Sequence, residues 1–266
     1  MTKLVAFALV LSACHHDHSP PVSTPPPEAA STAPLTEAGI AIPIAPGQTA
    51  AWEAALHELT GPRYAEYDTS RRRFGLTSQT TFLQKTPMGD FALIHMTGAD
   101  VHASFHAMST SQDPWDVKWR QLTQNLHGVD FAQGEKVTPK VEPLFAMDGS
   151  GGTQFMFMAP LGSDGATRLE ALARELATTK HADYVRARQA LGIHREAVFL
   201  ERTGRGDAAV FYWLADDPIA SLRAFAASQD PFDAWLRDQL AGVHPISTDA
   251  IVQIASANTL VGQYPH

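Results

Sequence analysis

Cysteine is nearly absent from this chain: Cys14 is the only one. With no second thiol there is no internal disulfide, and the fold must stand on packing alone. Positive charge is also scarce. The net charge is −8, and Arg71-Arg72-Arg73 is the only basic run, so neither a nucleic-acid partner nor a polybasic membrane face is expected. Long apolar runs are missing too. The longest near the N-terminus, Leu4 to Val10, is too short to cross a bilayer as a helix. There is no nucleophile elbow, no Walker loop, no His-Glu-x-x-His and no cysteine pair. Gly204-Arg205-Gly206-Asp207-Ala208-Ala209 spaces its glycines like a dinucleotide fingerprint, but it joins strand to strand where that motif needs strand to helix.

What is present begins with an address. Lys3, the apolar run and Leu11-Ser12-Ala13-Cys14 resemble the lipobox of bacterial lipoproteins, which implies a signal peptide over 1–13 and lipidation of Cys14. A membrane partner through that lipid and a cell-envelope location follow from the resemblance. His15 after the cysteine, where Asp would favour the inner membrane, tilts the expectation toward the outer one. Residues 14–37 are rich in Pro, Ser, Thr and Ala and read as an extended tether. His15-His16-Asp17-His18 reads as part of that tether, since nothing nearby fixes a metal geometry. No metal and no cofactor is expected.

The remainder is written twice. Ser111-Gln112-Asp113-Pro114-Trp115-Asp116 returns as Ser228-Gln229-Asp230-Pro231-Phe232-Asp233, 117 positions later, and Pro43–Asp130 aligns without gaps on Pro160–Ser247 with about 26 identities. The chain therefore holds two repeats, expected over 38–148 and 153–266, with the glycine-rich 149–152 between them.

Each repeat reads β-α-β-β-α-β with extra helical turns. Strands are expected at 39–44, 80–85 and 91–96, and at 154–161, 197–202 and 208–214, closed by 141–147 and 250–256. The third strand of the second repeat, Val210-Phe211-Tyr212-Trp213-Leu214, is apolar on both sides, which predicts a sheet covered on both faces. The pattern is α+β: two ferredoxin-like units packed sheet against sheet. Asp113 and Asp230 suit helix N-caps, Pro114 and Pro231 the first helical position.

The run Gly61-Pro62-Arg63-Tyr64-Ala65-Glu66-Tyr67, with Arg71, Gly75, Phe82-Leu83-Gln84, Gly89-Asp90, the hexapeptide and His127-Gly128-Val129-Asp130, resembles an uncharacterised bacterial family in the dimeric α+β barrel superfamily. The second repeat departs from it at Thr178-Thr179 and Pro245-Ile246-Ser247. The resemblance implies a pseudo-twofold barrel made by pairing the two sheets, which a tandem chain would close within itself as a monomer. Its members range from cofactor-free monooxygenases to haem proteins and proteins of no known activity, so it implies little chemistry.

Candidate binding residues follow from residue type and spacing. Tyr67 and Arg71, with their counterparts Tyr184 and Arg188, lie four apart on one helix face and could hold an anion or a carbonyl. His95 and its counterpart Tyr212 could aim a polar tip into a barrel. Gln112 and Gln229 are the hexapeptide residues that capping leaves unexplained. His102 and His106 are spaced to share a metal but have no evident third ligand. His127 and His244 recur at a helix end, where they suit the dipole. The reading is a non-catalytic module that binds a small apolar ligand or an envelope protein. The alternatives are a cofactor-independent oxygenase or haem-handling enzyme, and a purely structural envelope component.

Overall fold

A computed structural model describes residues 35–136, 140–204 and 206–265. The first repeat runs β1 (Glu37–Pro43), α1 (Thr49–Thr60), α2 (Tyr64–Arg73), β2 (Leu76–Thr86), β3 (Gly89–Gly98), α3 (Val101–Thr110), α4 (Pro114–His127), a 3-10 turn (Phe131–Lys136) and β4 (Lys140–Met147). The second runs β5 (Thr153–Pro160), α5 (Gly165–Ala177), α6 (His181–Ala190), β6 (Ile193–Thr203), β7 (Gly206–Ala215), α7 (Pro218–Ala227), α8 (Pro231–Ala241), α9 (Thr248–Ala255) and β8 (Thr259–Tyr264).

Two features set these boundaries locally. Asp113 and Asp230 accept hydrogen bonds from the amides of Trp115 and Phe232, and proline opens α4 and α8, so the repeated hexapeptide starts a helix in both copies. Residues 250–256, expected as a strand, form most of α9 instead. Ser247 caps that helix by accepting from the Ala250 amide, and Ile251, Val252 and Ala255 then pack on the second sheet's core. The strand comes later, at β8.

The strands form two antiparallel sheets in the orders β1-β3-β2-β8 and β4-β6-β7-β5. The last strand of each repeat therefore crosses to the other repeat's sheet: β8 pairs with β2, and β4 with β6. The sheets face one another. Alternation along their strands turns Ala41, Phe82 and Leu93 into the core of the opposite sheet, while Ile40, Ile94 and Met96 turn outward beneath helices. Gly39 lies flat against Phe199, and a Cβ there would stand 2.6 Å from that ring.

The expected closure into a barrel does not occur. The sheets remain separate, and side chains cap the backbone at their edges. Gln84 donates from Nε2 to the Met158 carbonyl and accepts from the Met158 amide on β5, both at 2.9 Å. At the equivalent place Glu201 Oε2 accepts from the Ala41 amide on β1 at 2.7 Å. Edge groups occupied in this way are not free for a strand ladder. The monomeric state argued from a self-closing barrel is corrected accordingly. The membrane partner expected through a lipidated Cys14 is withdrawn with it, because the chain's sole cysteine lies outside the described residues and nothing in the fold supports the attachment. Among the described residues no helix is long and apolar enough to cross a membrane.

Candidate functional site

The outer face of the first sheet holds the larger cavity, about 140 Å3. Ile40, Ile42, Ile94 and Met96 form its floor; Trp52 and Leu56 of α1, Phe105 and Met108 of α3, and Trp119 and Leu126 of α4 form walls and roof. The same face of the second sheet encloses only about 50 Å3. The repeat alignment explains the difference. Ile40, Ile94 and Met96 correspond to Phe157, Phe211 and Trp213, and those rings fill the space. Phe157 stacks on Phe211 with centroids 4.6 Å apart, and Trp213 meets Phe157 edge-on at 5.1 Å.

Tyr67 and Arg71 reach the first cavity together, placed by one turn of α2. Arg71 is buried, 4 % exposed. Its Nη1 donates to Gln79 Oε1 at 3.1 Å and its Nη2 to Ser70 Oγ at 3.3 Å, its Nε has no hydrogen-bond partner among the described residues, and its guanidinium lies over the Tyr67 and Phe74 rings. Burial depresses its pKa. The Tyr67 ring meets Tyr264 edge-on at 5.8 Å. His127 also lines the cavity. Its Nδ1 donates to the Pro43 carbonyl at 2.9 Å, and burial lowers its pKa, so the ring is neutral near pH 7 with Nε2 bare. His244 makes the same bond to the Pro160 carbonyl.

In the second repeat the same positions are closed upon themselves. Glu196 stands where the first repeat has Gln79. Tyr184 donates its hydroxyl to Glu196, and Arg188 Nε lies 3.1 Å from Glu196 Oε2. That contact is close enough to pair charges, although it is not aligned as a hydrogen bond. Burial works against the Arg188 charge, but Glu196, Tyr184 and Asp233 together more than offset it, so the pKa lies above its ordinary value. Arg71 and Arg188 thus shift in opposite directions.

The other sequence candidates lie elsewhere. His95 and Tyr212 face the gap between the sheets and stack on each other at 3.7 Å. Glu37 ties them in, bonding His95 Nε2 at 2.5 Å and Arg195 at 2.7 Å, while Arg195 lies over the Tyr212 ring. Gln112 and Gln229 are exposed and donate to the nearby carbonyls of Thr110 and Ala227. His102 and His106 are exposed on α3, and among the described residues no group of three or more His, Cys, Asp or Glu could hold a metal ion. Gln79 carries no signal by itself, although its exchange for Glu196 is visible once the repeats are aligned. The outward Ile-to-Phe and Met-to-Trp exchanges are visible in the same way.

Three solved structures show a distant likeness to this two-part α+β architecture. A candidate monooxygenase from Fusobacterium nucleatum is 8 % identical with a TM-score of 0.46, covering 85 % of this chain and 92 % of its own. An anthrone oxidase-like protein is 15 % identical with a TM-score of 0.43, covering 85 % and 88 %. A candidate monooxygenase from Lactobacillus acidophilus is 10 % identical with a TM-score of 0.38, covering 80 % and 90 %. The chain matches no protein-family model and no curated protein. Likeness at this level says nothing about a substrate or a reaction.

Proposed function

We propose that the first repeat binds a small, mostly apolar molecule in the cavity beneath α1, α3 and α4. This replaces the expected site between the sheets, where packed side chains leave the polar groups engaged with one another. One observation carries the reading: a space of about 140 Å3 with apolar walls and a few polar tips, where the sister repeat fills the same space with rings. An apolar cavity of about 150 Å3 holds a benzene-sized ligand, which sets the scale of the bound body. The test is binding of a neutral probe, benzamide, followed by NMR of the full chain. The native protein should bind it, and the double variant Ile94→Phe, Met96→Trp, which imports the second repeat's filling, should not. Equal binding by both would sink the reading.

His127 favours a second reading, catalytic use of the same cavity. A neutral imidazole fixed through Nδ1–H, with Nε2 bare and a buried guanidinium lining the same cavity, is suited to take a proton from a carbon or phenol acid whose anion Arg71 would stabilise. That anion is what cofactor-independent oxygenation by dioxygen requires. Deuterium exchange at the α-carbon of acetophenone, faster with the native protein than with His127→Gln, would support it. No exchange above background would dismiss it.

A further inference from the structure

We propose that the molecule held in the first repeat's cavity is an anion, an apolar body bearing one carboxylate or phenolate oxygen that pairs with Arg71. The proposal rests on the cavity reading above and adds the charge of the occupant. It comes from comparing the two repeats charge by charge. At equivalent positions the second repeat holds one guanidinium, Arg188, with two buried carboxylates, Glu196 and Asp233. The first holds one buried guanidinium, Arg71, with one buried carboxylate, Asp116, because Gln79 replaces Glu196; the exposed Arg73 bonds Asp116 in the first repeat, and the exposed Arg186 bonds Asp230 in the second.

Asp116 acts on the Arg71 charge from a distance and through Ser70, but makes no ion pair with it, and burial still outweighs that attraction. It is engaged by Arg73 at 2.5 Å and accepts from Ser70 and Ser111 at 2.8 and 2.6 Å. Arg120, which also lines the cavity, adds a further positive charge and spends its two Nη groups on the carbonyls of Met108 and Ser111. Arg237 does the same with Phe225 and Ser228, so that feature belongs to the repeat and not to the site. What sets the first repeat apart is a buried guanidinium bonded only to neutral oxygens, at the wall of a space large enough for a ligand. A buried charge without a counter-charge is costly. The second repeat removes that cost with its own Glu196, and in the first an incoming oxygen anion would take the same place. Guanidinium forms charge-assisted hydrogen bonds with carboxylates, and Arg71 lines the cavity with its hydrogen-bonding capacity incompletely used.

The experiment compares benzoate with benzamide, which share a ring and differ in charge, on the full chain by calorimetry or NMR. The native protein should bind benzoate at least about tenfold more tightly than benzamide. Gln79→Glu, which writes the second repeat's counter-charge into the first, should abolish that preference while benzamide binding survives. Arg71→Met carries the same comparison should Gln79→Glu fail to fold. Equal affinity of the native protein for the two probes, or a preference that persists in Gln79→Glu, overturns the anion and leaves the cavity reading standing. Failure of both probes to bind the native protein overturns both.

Discussion

The two repeats have the same skeleton and opposite interiors on their outer faces. In the second, Phe157, Phe211 and Trp213 close the space and Tyr184, Arg188 and Glu196 satisfy one another. In the first, Ile40, Ile94 and Met96 leave a cavity, and Gln79 gives Arg71 a neutral oxygen where the second repeat has a carboxylate. Duplication permits such a division. One copy supplies packing, which frees the other to hold unfilled volume and unbalanced charge, features that lower stability and suit binding.

The largest expected effect comes from making the second repeat resemble the first. Glu196→Gln leaves Arg188 buried without its counter-ion and Tyr184 without its charged acceptor. Breaking a buried pair from one side costs about 3–5 kcal/mol, which for a unit of this size is a fall in Tm on the order of 10 °C. Calorimetry of the variant decides it. A loss no larger than that of an exposed substitution would mean that the internal pairing does not distinguish the repeats.

Much of this was legible in the sequence, for reasons that differ by element. The repeat showed through identities at a fixed offset, and strands such as Val210 to Leu214 showed two buried faces because nearly every residue is apolar. The hexapeptide's caps are local chemistry and read correctly. The exchange of β4 and β8 between sheets was not legible. Both strands follow helical segments, and nothing in Lys140–Met147 or Thr259–Tyr264 specifies which sheet edge receives them; tertiary packing decides that. The last strand was misplaced because Ala250 to Ser256 is apolar enough to suit either form, and the Ser247 cap settles it as helix. The site was half legible. Tyr67 and Arg71 followed from helical spacing, but the importance of Gln79 depends on which strand face points at them, and His95 proved to turn the other way.

A second asymmetry lies between the sheets and has a pH signature. Gln84 uses both ends of its amide on Met158, whereas Glu201 meets the Ala41 amide with one oxygen and leaves Oε1 without a partner. Burial raises the Glu201 pKa from an ordinary 4.5 to about 8, so the folded protein keeps it protonated at neutral pH, when an unfolded chain has released the proton. Between those two values the native state binds more protons than the unfolded state, and stability falls as pH rises from about 4.5 to about 8. Glu201→Gln supplies the amide that Gln84 uses and removes the slope. Its advantage over the native protein should therefore be small at pH 5 and grow to at most about 4 kcal/mol by pH 8.5. Denaturant midpoints at the two pH values measure it, and parallel shifts at both would break the account.

The smallest effect distinguishes the two hexapeptides. Asp230 has Arg186 to itself at 2.8 Å, and chiefly that bond holds its carboxyl down to about 2. Asp113 shares Arg73 with Asp116, at 2.9 and 2.5 Å. The folded pKa of Asp230 is depressed, so its contribution is complete above the ordinary value of 3.8 and is lost as pH falls toward 2. Asparagine keeps a capping oxygen and removes the charge. Asp230→Asn should lower Tm at pH 7 by roughly 2 °C, as expected for an exposed pair, and by much less at pH 2, where the native carboxyl is already about half protonated. Asp113→Asn should cost less still, because Arg73 keeps its shorter bond to Asp116 where Arg186 loses its bidentate carboxylate partner. The reverse order would show that Arg73 is committed to the cap and not to Asp116, and Asp116 would then be free to balance Arg71.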